Sequence, residues 1–336
     1  MSFSAFGVKP LSLNHLIVHQ LTRLDAKTDL HLQDEALTVD DAALTLVAEV
    51  KSSFAGRASK RYGGFSEQAG HFKALTGQWL RDGITFKTWS QQLMERLALA
   101  LENEGVESDG YWLFADEQLE SGRQVWFFQL RHKHGLSVTH DLNLSDSRLI
   151  DYGRLGFGAC LNVTEWEQEA PGQYLTVSFG FGDKALQDAL LNFVDFVATV
   201  DTSADTEAFM AVVDAFSVQL PADKGQNYRK KAAEFCIEQD KMGEPVSYRV
   251  LSEELQADAD ASFSQFIEQE QPSLKESFIP DRKSLKKYIR YSGRSKDVSI
   301  SFSNINLGKD VQFDADNERL IIHEIPASLL KQLKGE

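Results

Sequence analysis

The chain has 336 residues, with 50 acidic and 35 basic side chains and a formal charge of −15. Apolar residues make up 42 % and aromatic residues 10 %, with seven prolines, which supports packed cores in about two domains and excludes extended disorder. No uninterrupted apolar run reaches the roughly 18 residues of a spanning helix, and the opening "MSFSAFGVKPLSLNH" lacks the pattern of a secretory signal.

In chain order, "LNHLIVHQLTRL" (13–24) alternates enough to predict a strand. "DDAALTLVAEVKSSFAG" (40–56) predicts an amphipathic helix capped by Asp40 or Asp41. In "SKRYGGF" (59–65), cations before a glycine pair predict a helix C-terminus, with a base- or phosphate-gripping loop as the alternative. The clearest helix is 86–105, where Phe86, Trp89, Leu93, Leu97 and Leu101 recur at three- and four-residue steps.

Strand signals follow. Residues 110–116 and 123–132 flank "EQLESG" as a hairpin, and 135–144, 156–166 and 173–180 add three more strands. A helix over 183–197 closes this half. Strands in succession without regular helical crossovers predict an α+β domain with a mainly antiparallel sheet. The polar run 198–208 marks a boundary, giving an α+β domain over 1–200 and a helical domain over 205–336. In the second domain, helices are expected at 206–219, 226–242, 247–257, 261–270 and 281–292, then strands at 297–305, 309–313 and 319–325, a turn at 314–317 and a short tail helix. Several helices, then a basic helix, then a C-terminal β-hairpin suggest a winged-helix-like order.

Charge is uneven along the chain. Residues 1–170 carry 16 basic and 23 acidic side chains, 171–271 carry 7 and 18, and 272–336 carry 12 and 9. Within the last stretch, Arg282, Lys283, Lys286, Lys287, Arg290, Arg294 and Lys296 form a run of seven cations with no acid among them. At about 100° per residue, Arg282, Lys283, Lys286, Lys287 and Arg290 share one arc of about 140° on a helical wheel, with Leu285, Tyr288, Ile289 and Tyr291 opposite. An apolar face can dock while a cationic face meets phosphates. A solvated face paired with the acidic 253–270 region, or a membrane-surface helix, are the alternatives. Any contact of so acidic a protein with nucleic acid is expected to be local, weak and salt-sensitive.

Other patterns carry less. "FGFGDKALQDAL" (179–190) sets G-x-G before a helix, a potential anion cradle, but lacks a third glycine or a G-K-[ST]. His132, His134, His140 and Asp141 cluster in sequence without a metal-ligand spacing, and "DADNE" (314–318) lacks the glycine and distal glutamate of a calcium loop. No metal or cofactor is expected. Cys160 and Cys236 sit in apolar contexts that suit buried small hydrophobes. No nucleophile, base or acid-pair signature stands out, so no enzymatic activity is expected.

"SFSQFIEQ", "SFIPDRKSLKKYIRYSG" and "VSISFSNINLG" resemble the bacterial nucleoid-associated protein family known as NdpA or YejK. "LNHLIVHQL", "RYGGFSE", "LNVTEWE", "YLTVSFGFGDKALQDALLNFVDF" and "EPVSYRVLSEEL" fit the same family in order. The resemblance implies a cytoplasmic protein found with the bacterial chromosome and implies no reaction. Relatives tend to carry a basic K-G-R-x-x-R-K stretch after the "YL" strand, where this chain keeps only Lys184. Two roles follow as expectations. One is a DNA contact through the basic helix. The other is an acidic adaptor, through 171–271 with Glu253, Glu254, Asp258 and Asp260, for a nucleoid protein such as a topoisomerase. The oligomeric state stays open.

Overall fold

A computed structural model describes residues 12–68, 70–168, 173–180, 184–242, 244–255, 262–271 and 274–335. The chain divides into two compact units, Met1–Val200 and Asp201–Glu336. Among the described residues no helix is long and apolar enough to cross a membrane.

The first unit opens with β1 (Ser12–Leu24) and β2 (Lys27–His31), then α1 (Asp41–Ala55), β3 (Arg61–Phe65), α2 (His71–Leu80) and α3 (Phe86–Asn103). Strands β4 (Ser108–Leu119), β5 (Gly122–Leu130), β6 (His132–Val138) and β7 (Leu144–Ile150) follow, then β8 (Phe157–Asn162) and α4 (Val163–Glu167). The unit ends with β9 (Leu175–Phe179), α5 (Lys184–Phe193) and β10 (Phe196–Ala198). Eight strands form one antiparallel sheet in the order β10-β3-β9-β8-β5-β4-β1-β2, while among the described residues β6 and β7 pair only with each other. The α+β architecture with its mainly antiparallel sheet is therefore present.

The central strands are apolar on both faces because both faces are covered. In β4, Trp112 and Phe114 join the core with Trp89, Leu93 and Leu97 of α3, while Leu113 and Ala115 join Val47, Val50 and Phe54 of α1. Strand β5 splits the same way, Val125 and Phe127 to the first side and Trp126 and Phe128 to the second. Two polar contacts lie inside. Trp89 Nε1 donates to Thr76 Oγ1 at 3.1 Å, and Arg123 Nε donates at 2.8 Å to Asp116, which is fully buried.

Several boundaries differ from the sequence reading. The stretch 59–65 is no helix end: Arg61–Phe65 is β3, between β9 and β10. Its glycines allow close approach, since a Cβ on Gly63 would meet the Val197 carbonyl oxygen at 2.0 Å and one on Gly64 the Tyr174 ring at 2.9 Å. The expected strand 135–144 is two strands, β6 and β7, joined by a turn in which Leu142 takes φ 60°. Strand 156–166 stops at Asn162, whose side chain caps α4 by accepting from Glu165 N at 3.1 Å. The helix over 183–197 stops at Phe193, and β10 follows.

The second unit begins with α6 (Thr202–Ser217), capped by Asp201, so the polar run 198–208 is mostly helix and strand rather than linker. Then come α7 (Ala222–Met242), β11 (Val246–Ser247), α8 (Tyr248–Glu254), α9 (Phe263–Glu270), β12 (Ser277–Phe278) and α10 (Arg282–Ile289). Four short strands, β13 (Arg290–Arg294), β14 (Ser299–Ser303), β15 (Val311–Asp314) and β16 (Arg319–Ile322), form two hairpins before α11 (Ala327–Lys334). The core gathers Phe209, Val213 and Phe216 of α6, Ala232 and Cys236 of α7, Phe263 of α9 and Leu285 of α10.

Candidate nucleic-acid interface

The seven-cation run is split between two elements. Helix α10 ends at Ile289, and Arg290, at φ −145°, already begins β13. The expected helix over 281–292 is thus a helix of two turns followed by a hairpin. Pairing between Arg290–Arg294 and Ser299–Ser303 captures the last residues of the cationic arc.

Helix α10 is fixed at its start and along one face. Asp281 caps it, accepting from Ser284 N at 2.9 Å and from Ser284 Oγ at 2.8 Å, while Asp281 N donates to the buried Thr206 Oγ1 at 2.8 Å. Leu285 is fully buried, and Tyr288 and Ile289 pack against the same core. Burying Leu285 contributes about 2 kcal/mol, which fixes the face that the lysines present. Lys283, Lys286 and Lys287 lie on the exposed side.

The seven cations differ in what they touch. Arg282 points inward: its Nε donates to Asp240 Oδ2 at 2.6 Å, and the two side chains are only 14 % and 4 % exposed. Lys287 meets Glu207 at 3.2 Å with both side chains 56 % exposed, and this hydrogen bond raises the lysine pKa. Arg290 reaches across its hairpin, Nε to Ser301 Oγ at 2.8 Å and a guanidinium nitrogen to the Ser301 carbonyl at 3.2 Å. Lys283, Lys286, Arg294 and Lys296 are exposed and make no ion pair among the described residues.

The hairpin sorts its side chains by alternation. Arg290, Ser292 and Arg294 share one face with Ser299, Ser301 and Ser303, and Tyr291 lies opposite, its ring 5.4 Å from that of Phe302. One face is cationic and serine-rich and the other aromatic. Lys296 sits in the turn, which Ser295 N closes by donating to the Val298 carbonyl at 2.8 Å.

The other sequence candidates are not drawn together. His132 and His134 lie on the same side of β6, with His140 in the following turn, and among the described residues no three metal-binding side chains converge. Asp314 bonds Asn317 within a turn. The G-x-G segment lies partly outside the described residues, at 181–183, as do Asp258 and Asp260 of the acidic cluster; Glu253 and Glu254 are exposed at the end of α8. Cys160 and Cys236 are buried free thiols whose pKa burial pushes well up.

A family model described as "Nucleoid-associated protein YejK" matches residues 17–330. The chain belongs to the YejK family of nucleoid-associated proteins. It is 28 % identical over 335 residues to a nucleoid-associated protein of Pseudomonas putida (strain GB-1), covering 96 % of this chain and 99 % of the relative. A nucleoid-associated protein of Pseudomonas entomophila (strain L48) is likewise 28 % identical over 334 residues, with 96 % and 99 % covered. One of Azotobacter vinelandii (strain DJ) is 25 % identical over 331 residues, with 96 % and 98 % covered. The YejK match spans both units, from β1 to α11, so the sheet and the cationic helix–hairpin are parts of one family-wide chain.

Proposed function

We propose that this protein is a non-catalytic nucleoid protein of the bacterial cytoplasm that touches double-stranded DNA through α10 and the β13–β14 hairpin. The observation that carries the reading is the set Lys283, Lys286, Arg294 and Lys296, exposed and without ion pairs among the described residues, in a chain of net charge −15. Lys287 adds charge that Glu207 partly masks. Arg290 keeps the hairpin paired, and Arg282 anchors the helix, so these two act through structure rather than through phosphate contact.

The acidic body repels the duplex at long range, so affinity is expected to be low and steeply dependent on salt. Fluorescence anisotropy with a labelled duplex, from low salt to about 0.2 M, tests the reading. Replacing Lys283, Lys286, Arg294 and Lys296 by Ala is expected to reduce the salt slope by up to about 3–4 units and to weaken binding on unrelated sequences alike. Unchanged affinity in a folded quadruple variant would overturn it.

A further inference from the structure

The β6–β7 hairpin stands apart from the main sheet and carries a concentration of exposed apolar side chains. Leu136, Val138, Leu142, Leu144 and Leu149 are 69 %, 65 %, 85 %, 72 % and 50 % exposed. The hairpin is a two-stranded sheet, so the outer edge of β7 has no backbone partner among the described residues. Exposed apolar surface next to an open strand edge is a liability in a free monomer and a feature of a strand that pairs with another chain.

The sequence of β7 is complementary to itself. Its seven residues, Leu144–Ile150, centre on Ser147. In an antiparallel pair of two β7 strands about a two-fold axis at Ser147, Leu144 lies opposite Ile150 of the second copy. Asp146 lies opposite Arg148, Ser145 opposite Leu149, and Ser147 opposite itself. Apolar meets apolar at the ends and opposite charges meet near the centre. Asp146 and Arg148 are both exposed and neither makes an ion pair among the described residues of its own chain. Strand β6 has no such symmetry: a pair centred on Gly135 would oppose His134 to Leu136 and Lys133 to Ser137.

We propose that β7 is the dimerisation strand of this protein, pairing antiparallel with β7 of a second copy in the register centred on Ser147. Isologous pairing covers the outer edge of β7 in both copies at once and stops at two chains. It also shelters part of the apolar tip. Ile150 packs against the core shared by α1, β4 and β5. Directly opposed residues of an antiparallel pair point to the same side. Leu144 of one chain therefore sits beside Ile150 of the second copy and extends that chain's core outward.

Sedimentation equilibrium of the full chain at about 1–100 µM tests the proposal. The wild type is expected to dimerise. Asp146→Lys puts cation opposite cation twice in each dimer, and Arg148→Asp puts acid opposite acid twice. Each is expected to raise the dissociation constant about tenfold or more. An equimolar mixture of the two variants opposes unlike charges at both positions and is expected to recover the dimer, which no folding defect would produce. Ser147→Cys is expected to cross-link two copies on mild oxidation, since the native cysteines are buried. A monomeric wild type, charge variants that dimerise as well as wild type, a mixture that stays monomeric, or a dimer that Ser147→Cys fails to cross-link would overturn the assigned pairing.

Discussion

Arg282 donates from Nε to Asp240 Oδ2 at 2.6 Å, joining the first turn of α10 to α7 in a site nearly closed to water. The first cation of the basic run is therefore a structural bolt. Arg282→Ala strips a buried carboxylate of this partner and is expected to cost about 3–5 kcal/mol of stability. Chemical denaturation measures the loss. Any fall in DNA affinity should disappear once the data are corrected for the folded fraction.

Glu207 offers the opposite case. Its pair with Lys287 is exposed on both sides, so Glu207→Gln should change stability by less than about 1 kcal/mol. It also removes an acid from the rim of the cationic surface. DNA affinity is expected to rise about two- to threefold at low salt, with the gain fading at higher ionic strength. A titration at two salt concentrations checks both the sign and the fading.

His19 sets a pH dependence. It is 1 % exposed, its Nε2 lies 2.9 Å from Ser90 Oγ, its Nδ1 accepts from Gln33 N at 3.0 Å, and burial pushes its pKa down to about 4. Above an ordinary histidine pKa of about 6.5 the folded and unfolded states are both neutral here, and the contribution to stability is complete. As pH falls from there toward 4, the unfolded chain takes up a proton that the native state refuses. Stability drops by up to about 1.4 kcal/mol per pH unit, reaching about 3 kcal/mol. Urea denaturation between pH 7 and 5 should show a steeper decline in wild type than in His19→Gln. Parallel declines would refute this role for His19.

Each unit has its own core, one set around Trp89 and Phe127 and another around Phe216 and Phe263. Residues 1–200 and 201–336 expressed separately are each expected to give dispersed NMR spectra and cooperative melting. Unfolded chains from both would show that the two cores depend on each other.

What the sequence disclosed follows from where the determining interactions lie. Strand β1 and helix α3 were legible because their burial repeats locally, at period two and at three- and four-residue steps. Strand β3 was misread because "RYGGF" has the look of a helix stop. Its structure is set by β9 and β10, more than 100 residues downstream, through contacts that only glycine permits. The cationic run was visible as composition. Its division was not, because Arg290 and Tyr291 continue the helical wheel while the pairing that ends the helix is with Ser303 and Phe302 on another strand. The inward turn of Arg282 was hidden for the same reason: Asp240 lies 42 residues away, on another helix.

The imbalance between one small cationic surface and a net charge of −15 has a consequence for the filament that such molecules would cover. A coat of basic protein cancels the charge of DNA and lets neighbouring duplexes collapse together. A coat of this protein would add negative charge outside the contact, so that covered stretches repel one another. On the proposed reading it acts as a spacer, holding the strands it marks open to enzymes whose own surfaces are basic.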